Sequence, residues 1–195
     1  MLHNILQNKK VILASASPRR KDLLNLVGVK FLQIPADVDE TILSSDHSNP
    51  RRYAKKIALK KCELIAGNND IECIVISADT IVYQNKKILG KPKNFDEINE
   101  YLTLLSGKSH IVYTAIAVSY KNNIIVDVAK TYVTFKHLEI DEIRQYIETK
   151  EPIDKAGAYG IQGYGSQFIE KINGCYFNVM GFPVNLFLQI IQKIL

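Results

Sequence analysis

Short apolar runs alternate with longer amphipathic segments along this chain, and the alternation predicts a mixed α/β fold. The short runs are bounded by polar or turn residues and are too short for helices, so they predict buried strands. They are residues 11–15, 31–35, 72–77 and 167–172. The longer segments place apolar residues three or four positions apart, which is typical of helices with one buried face. They are residues 18–27, 50–66, 95–105, 141–149 and 183–194.

Turn and capping residues sharpen these boundaries. Asn49 and Asn94 are favourable N-caps for the helices that follow them, and Gly28 suits the position just past a helix end. The strand-like runs at residues 81–83 and 87–89 predict a short hairpin, and two β-rich runs around Lys121-Asn122-Asn123 predict a long one. The pattern therefore predicts a mixed, twisted sheet with flanking helices.

Composition indicates one soluble, cytoplasmic domain spanning residues 1–195. Apolar residues make up 47% of the 195 positions, which is ample for a packed core. No apolar run approaches the roughly 18 residues of a membrane helix, and residues 1–10 lack the pattern of a signal peptide. The three cysteines are widely spaced and show neither disulfide nor metal-binding spacing, which fits a reducing cytosol. The net charge of +5 allows a polyanionic partner, but the lysines form no basic block.

The first candidate for chemistry is the segment Ser15-Ala16-Ser17-Pro18-Arg19-Arg20, which follows a predicted strand and opens a predicted helix. Ser17 is a good N-cap and Pro18 suits the first helical position. Cations in a first helical turn oppose the helix dipole at a cost of roughly 0.3–1 kcal/mol each. Two arginines beside open backbone N–H groups therefore suggest an anion site for phosphate, with solvated surface arginines as the equal alternative.

Four further clusters carry functional groups, although each alone is also ordinary turn chemistry. Asp79 follows a predicted central strand, where it could hold a metal or accept a proton from water. Lys91, between glycine and proline, suits a phosphate, and the acidic loop at residues 37–40 suits Mg²⁺. The glycine-rich segment 151–163 contains Gln162, whose amide can donate to and accept from a base edge.

Taken together, the motifs resemble the Maf family of nucleotide pyrophosphatases. The matching pieces follow the family order over nearly the whole chain. They are residues 15–20, Ala78-Asp79-Thr80, Gly90-Lys91-Pro92, Leu105-Ser106-Gly107 with His110 and Thr114, residues 154–163, and Asn178 through Pro183. Two positions depart from the family pattern, because Ser77 stands where glycine is usual and Cys62 where alanine is usual.

The resemblance implies a Maf/ITPase-like fold with two lobes around a central cleft, often as a homodimer. It implies hydrolysis of a nucleoside triphosphate to the monophosphate and pyrophosphate, with a divalent metal, Mg²⁺ or Mn²⁺, in the house-cleaning of nucleotide pools. The sequence Ile161-Gln162-Gly163 is similar to the branch that acts on dTTP and UTP, and modified pyrimidine nucleotides are further candidate substrates. No membrane and no specific nucleic acid are expected as partners.

The resemblance also implies roles for single residues. Asp79 is the expected catalytic proton acceptor and, with Glu40, the expected metal ligand. The expected substrate-binding residues are Ser15, Ser17, Arg19, Arg20, Glu40, Lys61, Thr80, Lys91 and Gln162.

Two other functions remain open at this point. A nucleic-acid-binding regulator would use the basic surface and would show steep salt dependence. A triphosphatase that removes only the γ-phosphate would release orthophosphate instead of pyrophosphate.

Overall fold

A computed structural model describes residues 1–38 and 49–195, and these residues form an α/β fold around one mixed sheet. The α-helices in the described ranges are α1 (Leu2–Leu6), α2 (Pro18–Leu26), α3 (Pro50–Ala66), α4 (Phe95–Leu105), α5 (Ile140–Glu148), α6 (Tyr176–Met180) and α7 (Val184–Ile194). The strands are β1 (Val11–Leu13), β2 (Leu32–Gln33), β3 (Ile74–Gln84), β4 (Lys87–Leu89), β5 (Ser109–Tyr120), β6 (Asn123–Phe135) and β7 (Ile169–Asn173). Short 3₁₀ segments occupy residues 151–154, 156–158 and 164–168.

The sheet combines parallel and antiparallel pairings in the order β2-β1-β3-β5-β6-β7, with β4 paired to β3. Strand β1 is parallel to both β2 and β3, and Leu13 lies opposite Gln33 and Ile76. Strand β4 is antiparallel to β3, and β7 is antiparallel to β6. The predicted mixed sheet with flanking helices is therefore confirmed.

The chain divides into two compact units. Unit 1 comprises residues 1–79, 114–129 and 181–195, and unit 2 comprises residues 80–113 and 130–180. The described core of unit 1 includes β1, the inner faces of α2 and α3, and the fully buried Phe182 and Phe187. The core of unit 2 packs α4 and α5 with aromatic residues from several elements. Each unit has its own apolar core, as an independently packed body requires.

Capping residues set the helix boundaries as predicted. The Asn49 side chain accepts a hydrogen bond from the Arg52 N–H, and the Asn94 side chain accepts one from the Glu97 N–H. Helix α2 ends in a Schellman motif, in which the Gly28 N–H donates to the Asn25 carbonyl and the Val29 N–H to the Leu24 carbonyl. Gly28 has a φ of +72°, which explains the glycine at this position.

Several sequence predictions were wrong in detail. The central strand was expected to end at Ser77, but β3 continues to Gln84, so Asp79 lies inside a strand. Leu64 and Phe95 stand at helical spacing with other apolar residues in the predicted helices, yet they are 42% and 58% exposed. The buried face of α3 includes Ile65, and the buried face of α4 includes Tyr101. The short helices α1 and α6 were not predicted, because helices of 5 residues give too little periodicity to recognise.

Among the residues that the structure describes, no helix has the length and apolarity needed to cross a membrane.

Candidate active site

The loop between β1 and α2 is held together by the Ser15 side chain. Ser15 is 6% exposed, and its Oγ accepts hydrogen bonds from the Ser17 N–H at 3.2 Å and from Arg20 Nη1 at 3.0 Å. Arg20 Nε also donates to the Gly181 carbonyl at 2.9 Å, and Gln33 Nε2 donates to the Ser15 carbonyl. Ser15 and Arg20 thus fix the shape of this loop in unit 1.

The start of α2 keeps the features that suggested an anion site. Ser17 is the N-cap but makes no side-chain capping hydrogen bond, and Pro18 occupies the first helical turn. Arg19 and Arg20 lie in that same turn and are partly exposed. Positive charge from two arginines and from the helix dipole therefore accumulates at one helix end.

Asp79 is the buried acidic group of unit 1. It is 7% exposed, and its Oδ1 lies 2.9 Å from the Lys61 Nζ of helix α3. The Lys61 side chain is also largely buried, with 14% of its surface exposed. The two opposite charges favour each other's charged form at this largely buried position.

Asp79 and the start of α2, which carries Arg19 and Arg20, both lie beyond the carboxyl end of β1. Leu13 of β1 lies opposite Ile76 of the parallel strand β3, and the Ala14 N–H donates to the Ile76 carbonyl. Ser15 follows Leu13 by two residues, and Asp79 follows Ile76 by three. Although Asp79 lies inside β3, it is therefore beyond the carboxyl end of β1, the edge where α/β sheets commonly bind ligands.

In unit 2 the structure joins two of the predicted clusters. The Gly157 N–H donates to the Gly90 carbonyl at 3.0 Å, so the turn that carries Lys91 is tied to the glycine-rich segment. Lys91 and Gln162 are both exposed, and Thr80 is partly exposed on β3 immediately after Asp79. Glu40, the remaining predicted residue, lies outside the described residues.

Val82 explains the glycine at position 157. Gly157 has a φ of +68°, and a Cβ there would lie 2.7 Å from the Val82 Cγ2. Both the backbone conformation and the available space thus exclude a side chain. The glycine-rich segment consequently lies directly on β3, the strand that carries Asp79 and Thr80.

Among the described residues, Asp79 supplies one carboxylate of the kind that a magnesium or manganese ion binds. No group of three or more His, Cys, Asp or Glu side chains suited to a metal occurs within residues 1–38 and 49–195. Mg²⁺, however, is commonly held by one or two carboxylates, with substrate phosphates and water completing its coordination. Asp79 is one such carboxylate, and Mn²⁺ accepts the same oxygen ligands.

The two departures from the family pattern are accommodated between α3 and β3. The buried Ser77 hydroxyl donates to the Ala58 carbonyl at 2.5 Å, so its polar group is satisfied. The buried Cys62 thiol lies 3.5 Å from the Val75 carbonyl, and burial raises its pKa to about 12. Neither side chain displaces Lys61 or Asp79 from their contact.

One organising residue was not singled out from the sequence. The Glu151 carboxylate accepts a hydrogen bond from Tyr146 Oη at 2.9 Å and bonds to the backbone of Tyr164 and Gly165. Burial raises the pKa of Tyr146, and the adjacent Glu151 carboxylate raises it further, so this phenol remains a donor. Glu151 precedes three closely spaced glycines, at positions 160, 163 and 165, and that spacing was the available signal.

Comparison with known proteins gives consistent matches. A family model described as "Maf-like protein" matches residues 10–194. A Bacillus cereus protein named dTTP/UTP pyrophosphatase is 49% identical over 177 residues, which cover 91% of this chain and 86% of the relative. A Bacillus anthracis protein of the same name is 48% identical over 177 residues, covering 91% of each chain. A solved structure of a nucleoside-triphosphatase / dITP/XTP pyrophosphatase from Mycobacterium abscessus is 14% identical in sequence. The match covers 66% of this chain and 75% of the solved chain, with a TM-score of 0.42.

Proposed function

The chain belongs to the Maf-like protein family, and from this premise we propose that it is a nucleoside triphosphate pyrophosphatase acting on dTTP and UTP. The observation that carries the proposal is the buried Asp79–Lys61 pair, which lies beyond the carboxyl end of β1, as does the start of α2 with its two arginines. A carboxylate beside clustered cations suits a polyphosphate with an attacking water. Two relatives named for this activity, matched over 91% of this chain, supply the substrate class.

The proposed reaction is attack of water on the α-phosphorus. Asp79 accepts a proton from the water while the water oxygen bonds to the α-phosphorus. The bond between the α-phosphorus and the α,β-bridging oxygen breaks, and pyrophosphate leaves. Lys61, 2.9 Å from Asp79, orients the carboxylate. Arg19 and Lys91 neutralise charge on the leaving phosphates, so positioning and electrostatics carry most of the rate.

A divalent metal completes this proposal. When held by Asp79 and Glu40, Mg²⁺ or Mn²⁺ supplies Lewis-acid stabilisation of the phosphate charge. Ser15, Ser17 and Arg20 act with it by shaping the loop against which the phosphates bind.

Base selection is assigned to unit 2. Gln162 is exposed, and its amide can both donate to and accept from a pyrimidine edge. Thr80 follows Asp79 on β3 and is the second residue assigned to substrate choice. A wrong base leaves the polar groups at such a position unpaired, so the enzyme discriminates strongly against it.

The same proposal covers the organisation of the protein. Residues 1–195 act as one functional domain, since the family match extends over residues 10–194. We expect a cytoplasmic enzyme that works on free nucleotides, including modified pyrimidine nucleotides, and forms a homodimer. No specific nucleic acid is part of the mechanism.

Replacement of Asp79 by Asn tests the catalytic assignment. The substitution keeps the size of the side chain and removes the proton acceptor, so turnover of dTTP and UTP should fall at least about a thousandfold. Asp96→Asn, an exposed change of the same kind on α4, should leave turnover unchanged. A folded Asp79→Asn protein with substantial turnover would refute the role of Asp79.

Separate detection of the two phosphate products tests the reaction itself. With Mg²⁺ or Mn²⁺ and a panel of canonical and modified triphosphates, pyrophosphate and the monophosphate should appear in equal amounts. Release of orthophosphate and a diphosphate would instead identify a γ-phosphatase and overturn the proposal.

A further inference from the structure

The Glu151 carboxylate is the centre of a hydrogen-bond cluster in unit 2. Its Oε2 accepts from the Tyr164 N–H at 2.7 Å, and its Oε1 accepts from Tyr146 Oη at 2.9 Å and from the Gly165 N–H at 3.2 Å. Tyr146 Oη in turn accepts from the Gly160 N–H at 3.3 Å. The carboxylate and the phenol together bind both ends of residues 160–165.

Three glycines in this segment owe their identity to the space around that cluster. A Cβ at Gly163 would lie 2.0 Å from Glu151 Oε2, and a Cβ at Gly160 would lie 2.9 Å from Oε1. A Cβ at Gly165 would lie 2.7 Å from Tyr146 Oη. None of these three glycines has a positive φ. A side chain at any of the three positions would therefore force the Glu151 carboxylate or the Tyr146 hydroxyl to move.

Gln162 is the exposed residue inside this anchored segment. Ile161 beside it is 9% exposed, and Tyr159 is 6% exposed, with its hydroxyl 2.8 Å from His110 Nε2. The segment is thus fixed to the core before Gln162 and to Glu151 after it. The backbone at Gln162 is therefore restrained, which reduces the backbone entropy lost when this residue binds a ligand.

We propose that Glu151 is a positioning residue for substrate selection: its carboxylate holds residues 160–165 in the conformation that presents Gln162 to the base. This inference rests on the proposed function, because it assigns Gln162 the contact with the pyrimidine. It adds a residue with no proposed substrate contact of its own to the determinants of specificity. Charge-assisted hydrogen bonds to backbone N–H groups are strong enough for this task.

Glu151→Gln is the variant that tests the proposal. The glutamine amide has the size of the carboxylate but only one acceptor oxygen. Its NH₂ group must therefore face a backbone N–H or Tyr146 Oη, which now donate to the carboxylate. The ratio of kcat/KM for dTTP over dATP should fall about tenfold, mostly through KM for dTTP. Glu148→Gln, the same change at an exposed position on α5, should leave the ratio unchanged. An unaltered ratio in a folded Glu151→Gln protein would overturn the proposal.

A double-mutant cycle separates positioning of Gln162 from a general loss of structure. If Glu151 acts through Gln162, Glu151→Gln should change the selectivity ratio in the parent protein but not in a Gln162→Ala background. Equal effects in both backgrounds would overturn the proposal, because Glu151 would then act on selectivity independently of Gln162.

Amide hydrogen exchange distinguishes failure of this inference from failure of the proposed function. Glu151→Gln should accelerate exchange at the Tyr164 and Gly165 amides at least about tenfold, with exchange in β1 unchanged. Unchanged exchange at both amides would refute the anchoring itself. A different outcome is accelerated exchange in Glu151→Gln together with normal selectivity in Gln162→Ala. That outcome would overturn the assignment of the base contact to Gln162 and, with it, the selectivity role of Glu151.

Discussion

Arg19 and Arg20 are adjacent in sequence, and we expect them to have different roles. Both are partly exposed at the start of α2, and Arg20 links Ser15 Oγ to the Gly181 carbonyl. Arg20→Ala should therefore lower the free energy of unfolding by about 1–3 kcal/mol, because it removes two hydrogen bonds from a charged group. Arg19→Ala should raise KM for dTTP about tenfold. Urea denaturation and steady-state kinetics measure the two effects, and an unchanged KM in Arg19→Ala would place that side chain outside the binding site.

His110 should make stability depend on pH. It is 1% exposed, packs edge-on against Phe135 and Tyr159, and burial lowers its pKa to about 3. In the unfolded chain its pKa is about 6.5, so between these values the unfolded state binds the extra proton and stability falls as pH falls. From pH 6.5 to pH 5 the loss attributable to His110 is about 2 kcal/mol.

Comparison of two histidine variants checks this dependence. His110→Phe should show a smaller loss of unfolding free energy between pH 7 and pH 5 than the parent protein. His137→Gln should retain the full loss, because the His137 side chain is 78% exposed. Parallel pH profiles for His110→Phe and the parent protein would mean that the ring is protonated in the folded state.

The sequence revealed some site residues by pattern and others only by resemblance. Arg19 and Arg20 were recognisable because cations are unfavourable in a first helical turn without an anion. Lys61 was not, since it is one of several lysines along α3 and only the structure shows its contact with Asp79. Glu151 was overlooked because two of its three partners are backbone N–H groups, which no side-chain pattern records.

At the scale of elements, helix boundaries were predictable and strand lengths were not. Asn49 and Asn94 cap their helices through local hydrogen bonds, which depend only on nearby residues. The length of β3 depends on distant partners instead. Asp79 suggested a strand end, but its charge is balanced by Lys61, so the strand continues through it.

Gly157 provides a prediction about the contact between the glycine-rich segment and β3. Gly157→Ala places a Cβ 2.7 Å from the Val82 Cγ2 in a left-handed backbone conformation, so unfolding free energy should fall by about 2 kcal/mol or more. Gly90→Ala is the matched control, since nothing lies within 4 Å of a Cβ there. Thermal denaturation compares the two, and equal melting temperatures would show that the contact with Val82 adjusts without cost.

At the scale of the whole molecule, a bound nucleotide should stabilise the fold. A non-hydrolysable dUTP analogue with an α,β-imido group, at a hundred times its Kd with Mg²⁺, should add about 2.7 kcal/mol to the unfolding free energy. For a chain of this size the melting temperature should rise by about 5–10 °C. Duplex DNA at physiological salt should give no comparable shift. Stabilisation by DNA and not by the analogue would favour a nucleic-acid-binding regulator.

The division of the chain into interleaved segments has a consequence for synthesis on the ribosome. Unit 2 ends at residue 180, whereas unit 1 requires residues 181–195, which supply the buried side chains of Phe187, Ile190 and Ile191. Unit 1, whose first residues are synthesised first, is therefore the last unit to be completed. A nascent chain halted after residue 180 contains residues 160–165, which carry Gln162, in full. Unit 1, which contains Asp79, still lacks helix α7 at that point.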